Sequence, residues 1–301
     1  MMKNKIQTPG ERIFKVVIHF VLILLSLSCV LAFLIVVGSS FQSQQEIVER
    51  GYSLIPKHFS LEAYQSVFKN STKLLIAYWN TFITTLIGTV AGVWLSATAG
   101  YVISRKTYRY RRILAFYIFF TMLFNGGLVP TYILISNWLN LKDTLTVLIL
   151  PLLCNAWYII LMKGYFSGVP DALIESARLD GANDLFIFIK IVLPISTPVL
   201  ATIALFYALG YWNEWYYCLL YISEDRLFKL QFLLMNILKN AEFLNSDLAG
   251  AMIADKSQLA SIPTLNVRMA MCVLAAGPIL VIFPFFQKYF VKGITIGAVK
   301  E

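Results

Sequence analysis

Long apolar runs separated by short polar connections dominate the pattern along this chain. A helix that crosses a bilayer needs about 20 consecutive apolar residues. Six runs meet that length: Phe14–Val37, Trp79–Ile103, Ile113–Ser136, Thr144–Tyr165, Pro198–Tyr221 and Asn266–Phe290. The pattern predicts an all-α polytopic membrane protein with six transmembrane helices. The first run is longer than a signal-peptide core and no small-residue cleavage site follows it, so it is expected to stay as a membrane helix.

The polar connections set the expected orientation. The N-terminal tail, up to the start of the first run, carries Lys3, Lys5, Arg12 and Lys15, and Arg105, Lys106, Arg109, Arg111 and Arg112 follow the second run. Basic residues stay on the cytoplasmic side, which places both segments there. Six crossings then return the C-terminus, and the connection between the fourth and fifth runs, to the same side. The expected divisions are a tail with the first helix (1–40), an external loop (41–76), a core of helices 2–6 (77–293) with an insert at 168–194, and a C-terminal tail (294–301). In the first outer loop, Ser60 is placed to cap a helix with Leu61, Tyr64 and Phe68 on one face. The second outer loop carries an amphipathic stretch, Leu227–Leu238.

Composition excludes the main competing classes. Hydrophobic residues make up 58% of the chain, charged residues only 14%, and mean hydropathy is +0.71. That is more apolar surface than a soluble domain of this size can bury. The net charge of +9 would suit nucleic acid, but the cations sit at the ends of apolar runs, so no nucleic-acid partner is expected. Cys29, Cys154, Cys218 and Cys272 lie inside apolar runs and read as packing residues, without disulfide or metal spacing.

The most informative segment is the insert between the fourth and fifth runs. It reads Glu175-Ser176-Ala177-Arg178-Leu179-Asp180-Gly181, then nine residues, then Ile191-Val192-Leu193-Pro194. Pro170 and Asp171 favour a helix start, and Gly181 can take the left-handed conformation that ends one, so Pro170–Asp180 is predicted helical. Asn183 or Asp184 can cap a second short helix. Leu173, Ile174, Ala177 and Ala182 are the expected docking ridge. Glu175 and Arg178 can pair with each other or with a partner.

This spacing resembles the EAA signature of bacterial ABC-importer permeases, with Ser176 replacing one small residue by another. Phe124–Tyr132, Trp212-Asn213-Glu214 and the ending Gln287–Lys300 are similar to carbohydrate permeases of the LplC and MalG type. The resemblance implies a type I, MetI-like importer fold in the bacterial cytoplasmic membrane, with both termini cytoplasmic. It implies a cytoplasmic coupling helix between helices 4 and 5, with Glu175, Ser176, Ala177, Arg178, Asp180 and Gly181 touching an ATPase. The implied partners are a homologous second permease subunit, two ATPase subunits, an extracytoplasmic sugar-binding protein and membrane lipid. The chain has no phosphate-binding Gly-x-x-x-x-Gly-Lys-Ser/Thr loop. It is therefore expected to bind no cofactor and to be no enzyme itself, with ATP and Mg used by the partner ATPases.

Within the apolar runs, polar and small residues point to the solute route. Asn125-Gly126-Gly127 before Pro130 is a weak point, either a bend lining the pathway near Tyr132 or a kink without ligand contact. Gly88, Gly92, Ser96 and Gly100 form a small-residue stripe suited to close helix packing. Tyr207, Tyr211, Glu214 and Trp215 share one helical face, with Asn213 about 100° around it. Aromatic faces with a few polar groups suit sugars. Glu214 is the only acidic residue in a predicted span, so it must face a cavity or a partner. The competing reading is an aromatic belt with Glu214 paired structurally.

The expected function is half of the pathway of an ATP-driven sugar importer, the cargo being an oligosaccharide. The alternatives are another polar solute, or an ion-coupled transporter, which would need more intramembrane ionisable groups and repeated halves.

Overall fold

The computed structural model describes residues 9–69, 71–244 and 265–298. Lys3 and Lys5 of the basic tail, residues 245–264 of the second outer loop and residues 299–301 of the C-terminal tail lie outside the described residues. Among the described residues all regular structure is helical. Three unbroken helices are long and apolar enough to cross a bilayer: α1 (Pro9–Ser40), α4 (Ser71–Ser104) and α15 (Leu265–Ala298). Three bent pairs pass the same test together, giving up to six spans if each pair is one.

Each bend has a local cause. The α5 helix (Arg111–Leu123) meets α6 (Leu128–Ile133), prolonged by a π turn to Trp138, at 111°. At that corner Gly127 has φ +85°, where a side chain would be strained, and the Asn125 side-chain Oδ1 accepts its N–H at 2.9 Å. A short 3-10 turn (Leu145–Leu148) with α7 (Leu150–Leu153) meets α8 (Ala156–Phe166) at 46°, where Asn155 caps the Trp157 N–H at 3.0 Å. The third pair joins α10 (Asp184–Ile187), a π turn and α11 (Leu193–Ile195) to α12 (Thr197–Trp212) at 83°. Pro198 has no N–H to continue the ladder, and the Thr197 hydroxyl donates to the Pro194 carbonyl at 2.7 Å instead.

The fifth apolar run departs from the single helix expected for it. The α12 helix stops at Trp212, Asn213–Trp215 form a break, and α13 (Tyr216–Tyr221) restarts the helix. A bilayer helix tolerates such a break only where side chains re-satisfy the backbone. Glu214 does so, accepting the Tyr217 N–H at 2.5 Å.

The described residues fall into two compact units. One is drawn from Met1–Asn70 and Ile237–Leu274, the other from Ser71–Asn236 and Ala275–Glu301. In the first, α1 is exposed from Ile13 to Ala32, and its end is tied into the loop that follows. A Cβ on Gly38 would lie 2.1 Å from the Leu54 carbonyl oxygen, so only glycine fits there. Ser43 caps α2 (Gln44–Arg50). Buried Glu46 accepts the Lys57 N–H at 2.9 Å and the His58 N–H at 3.4 Å. The Gln44 side chain accepts the Leu265 N–H at 2.8 Å, which fixes the start of α15.

Ser60 caps the α3 helix (Glu62–Lys69) as expected, and the side of the helix that packs inward is a different one from the Leu61, Tyr64 and Phe68 face. Ala63 and Val67 are buried, whereas Leu61 and Phe68 are exposed. Tyr64 sets the rotation: its ring lies tilted against Phe41, centroids 5.2 Å apart, and its hydroxyl meets Ser40 at 2.9 Å.

In the second unit, α4 is the central post, packed against α12 and α8. Its principal core joins Ala97 and Tyr101 of α4, Met162 and Phe166 of α8, and Ile203, Tyr207 and Tyr211 of α12. A second core gathers Ile135, Val147, Leu148, Cys218, Tyr221 and Phe232. The predicted amphipathic stretch of the second outer loop begins later than expected: a 3-10 turn (Asp225–Leu227) precedes α14 (Leu230–Leu244).

Candidate functional site

The insert forms a compact elbow. Pro170, at ψ 126°, ends the preceding segment and opens α9 (Asp171–Leu179). That helix closes as predicted. Gly181 has φ +83°, its N–H reaches the Arg178 carbonyl at 3.0 Å, and the Ala182 N–H reaches the Ala177 carbonyl at 3.0 Å. This is a Schellman closure, which needs a left-handed residue at Gly181. Asn183 then caps α10, accepting the Phe186 N–H at 2.8 Å.

Two expectations about the elbow's surface need correction. Ile174 and Ala177 are buried in this chain's own principal core with Phe166, Ile187 and Val192, so they are not a free docking ridge. The apolar residues left exposed are Leu173, Leu179, Leu185 and Phe186, with Leu179 at 89%. Arg178 pairs with Asp184 at 2.8 Å rather than with Glu175, because the tight turn at Gly181 brings the start of α10 back beside the end of α9. Glu175, Ser176, Arg178 and Asp180 all face outward.

The basic connection after α4 is bound to this elbow. The Arg105 guanidinium donates to the Phe166 carbonyl at 2.7 Å and lies 5.0 Å from the Tyr101 ring centroid. Lys106 pairs with Asp171 at 3.0 Å, and this hydrogen-bonded ammonium holds the Asp171 carboxyl below the usual carboxylate range. Two segments assigned to one side of the membrane on separate grounds are therefore in contact.

In the bundle interior, the small-residue stripe of α4 is a socket for the α12 tyrosines. A Cβ on Gly88 would lie 2.3 Å from the Tyr211 ring, and one on Gly92 would lie 2.7 Å from Tyr207. Both rings are fixed by their hydroxyls. Tyr207 donates to the Leu153 carbonyl at 2.8 Å and meets Ser96 at 2.8 Å, while Tyr211 donates to the Ile149 carbonyl at 2.8 Å. These hydroxyls carry the exposed carbonyls of the bent α7 region.

The remaining predicted pathway residues surround the break. Asn213 is exposed and donates to the Leu209 carbonyl at 3.0 Å. Trp215 is half-buried, and Tyr132 stacks on Tyr221 with centroids 5.5 Å apart. Asn125 is exposed at its corner. Tyr207, Tyr211 and Glu214 are thus buried within the chain, whereas Asn213 and Asn125 are open to its surroundings.

Glu214 has a partner that the sequence pattern did not suggest. Lys229, wholly buried, donates to the Tyr211 carbonyl and lies 3.9 Å from Glu214. The other Glu214 oxygen caps the Tyr217 N–H, so one buried ion pair joins α12, α13 and the start of α14. The available signal was a lone lysine between Phe228 and Leu230, outside any apolar run long enough to cross.

The fold and the elbow define a class: a helical membrane component of a transporter. Residues 86–296 match the family described as "Binding-protein-dependent transport system inner membrane component", and the chain belongs to that family. It is 39% identical over 293 residues to the polygalacturonan/rhamnogalacturonan transport system permease protein YtcP of Bacillus subtilis (strain 168), covering 96% of this chain and 99% of that one. It is 38% identical to protein LplC of the same organism, over 90% of this chain and 89% of the relative. A solved bacterial ABC transporter involved in importing the acidic polysaccharide alginate contains a chain that superposes with TM-score 0.81 at 30% identity, covering 95% of this chain and all of that one. This chain is accordingly an inner-membrane ABC permease subunit.

Proposed function

We propose that this chain forms half of the translocation pathway of an ATP-driven oligosaccharide importer, and that the elbow at 171–187 couples it to cytosolic ATPases. In this reading the chain crosses six times with both termini in the cytoplasm. A homologous second permease, two ATPase subunits that use ATP and Mg, and an external sugar-binding protein complete the assembly. The observation that carries the proposal is the Glu175–Gly181 motif, folded into a rigid elbow whose Leu173, Leu179, Leu185 and Phe186 are exposed. An exposed apolar ridge on an otherwise polar insert is what a partner cleft would cover.

ATP binding would draw the two ATPase subunits together and carry the paired elbows with them, turning the bundle as a rigid body between two states. An oligosaccharide cargo is supported by the polysaccharide substrates in the names of YtcP and the alginate importer. Asn125, Tyr132, Asn213 and Trp215 at the two interior breaks are the residues of this chain placed to meet it; Tyr207, Tyr211 and Glu214 shape that wall from behind.

The test is uptake by the complete complex in liposomes. Gly181→Pro removes both the φ of +83° and the N–H that closes α9. It should abolish ATP-dependent uptake while assembly persists; normal uptake would reject the coupling role. Sidedness is read separately, from a Leu179→Cys variant with Cys29 and Cys154 replaced by serine. An impermeant thiol reagent should label it only when applied from the cytoplasmic side.

A further inference from the structure

Five basic residues lie between α4 and the first turn of α5, and the fold uses three of them. Arg105 is bound to the Phe166 carbonyl, Lys106 to Asp171, and Arg109 lies over the Tyr110 ring at 5.7 Å. Arg111 and Arg112 remain. Both open, together with Lys163 from the last turn of α8, onto one cavity of about 340 Å³. Among the described residues no carboxylate pairs with any of the three. Three cations around one cavity repel each other, and an anion that joins them relieves that repulsion.

The position of the cavity identifies the anion. It lies where three candidate membrane segments end: α4 at Ser104, α5 at Arg111 and α8 at Phe166. Its remaining wall includes Ile103 and Ala115, one turn into the apolar part of α5. No residue of α5 is buried, and Phe119 and Met122, which continue the face of Arg112 and Ala115 at helical spacing, stand 47% and 41% exposed. A charged recess thus continues directly into an uncovered apolar helix face. The N-terminus of α5 also has no side-chain cap, and its dipole adds positive potential at the same place.

We propose that this recess binds the phosphate of an anionic phospholipid headgroup, with the acyl chains lying along α5. A free anion would satisfy the three cations but leave the α5 face bare. A zwitterionic lipid would bring its own ammonium group against them. Basic recesses between membrane helices at the cytoplasmic surface bind anionic headgroups in this way. The inference uses the proposed membrane placement of α4, α5 and α8 and is independent of ATPase coupling, so either can fail without the other.

The experiment uses the complete transporter complex, purified in detergent and exchanged with phosphatidylglycerol or phosphatidylcholine, with retained lipid counted by native mass spectrometry. Wild type should retain phosphatidylglycerol in preference to phosphatidylcholine. Each neutralised cation should weaken retention roughly fivefold. The triple variant Arg111→Gln/Arg112→Gln/Lys163→Gln should therefore lose it, while Arg109→Gln keeps it. If the triple variant does not assemble, exposed Arg112→Gln alone supplies the fivefold reading, and the charge-preserving Arg111→Lys/Arg112→Lys variant should restore retention. Equal retention of the two lipids, or unchanged phosphatidylglycerol in the triple variant, would overturn the site. Full displacement of the lipid by inorganic phosphate would overturn the lipid as its occupant.

Discussion

Replacing Lys229 by methionine tests the electrostatics of the interior break most directly. Methionine preserves the length of the stem while removing the ammonium that lies 3.9 Å from Glu214. Opposite charges at that distance attract by about 4 kcal/mol at an effective dielectric near 20. With the ammonium gone, one Glu214 oxygen, already without a hydrogen-bond partner among the described residues, becomes an uncompensated buried charge. Breaking a buried pair from one side costs about 3–5 kcal/mol. The Tyr211 carbonyl also loses its side-chain donor. Removing both charges in Glu214→Gln/Lys229→Met should be far milder, because no lone charge stays buried. The expected coupling between the two changes is at least about 2 kcal/mol. Urea unfolding of the nanodisc-held complex, followed by intrinsic fluorescence, measures each variant against wild type. If Lys229→Met alone costs under about 1 kcal/mol, or if the two single effects simply add, the ion pair does not hold the break together.

Other outcomes follow from the same geometry. Gly88→Ala drives a Cβ to 2.3 Å from a Tyr211 ring that is pinned at its hydroxyl, so it should destabilise the bundle by about 2 kcal/mol in the same unfolding assay. Tyr207→Phe frees the Leu153 carbonyl and Ser96 at once and should cost about 1–3 kcal/mol, with no change in membrane insertion. Arg178→Ala breaks only an exposed pair and should change stability by less than about 1 kcal/mol, so any loss of ATP-dependent uptake reports on docking. Glu46 is held below its ordinary value of 4.5, chiefly by the Lys57 N–H and then by Gln42. A carboxyl lowered on folding contributes stability above its unfolded pKa and loses it as pH falls through the folded one. Protection factors across residues 43–60, taken relative to the acid-slowed intrinsic exchange rate, should therefore fall below pH 4.5, and Glu46→Gln should remove that dependence.

The membrane segments were legible because lipid demands long apolar runs, and that demand leaves no shorter solution. The elbow's turn was equally legible, since Gly181 and Asn183 each specify one backbone geometry. The buried face of α9 was not. A short ridge of small apolar residues on a polar helix fits its own bundle as well as a partner, and only the fold decides that Ile174 and Ala177 turn inward. The break after Trp212 was hidden for a different reason: Glu214 repairs it from within the same apolar run, and the nearest glycine, Gly210, lies inside α12 rather than in the break. Lys229 was overlooked because one cation in an outer loop ordinarily sits in water.

The inward turn of α9 has a mechanical consequence. Ile174 and Ala177 share one buried core with Phe166 of α8, Tyr101 of α4 and Tyr207 and Tyr211 of α12. Tyr101 is in turn under the Arg105 guanidinium, which holds the end of α8. A close-packed core of this kind transmits displacement rather than absorbing it. Under the proposed coupling role, a pull on Leu179 or Phe186 therefore reaches the α12 tyrosines through packed side chains. Beyond that core the next interruption is at Asn213–Trp215, where the helix breaks and the Glu214–Lys229 ion pair spans the gap. Motion of the elbow should consequently appear at that break, and cross-linking the elbow to α8 should suppress transport while leaving the tyrosine sockets intact.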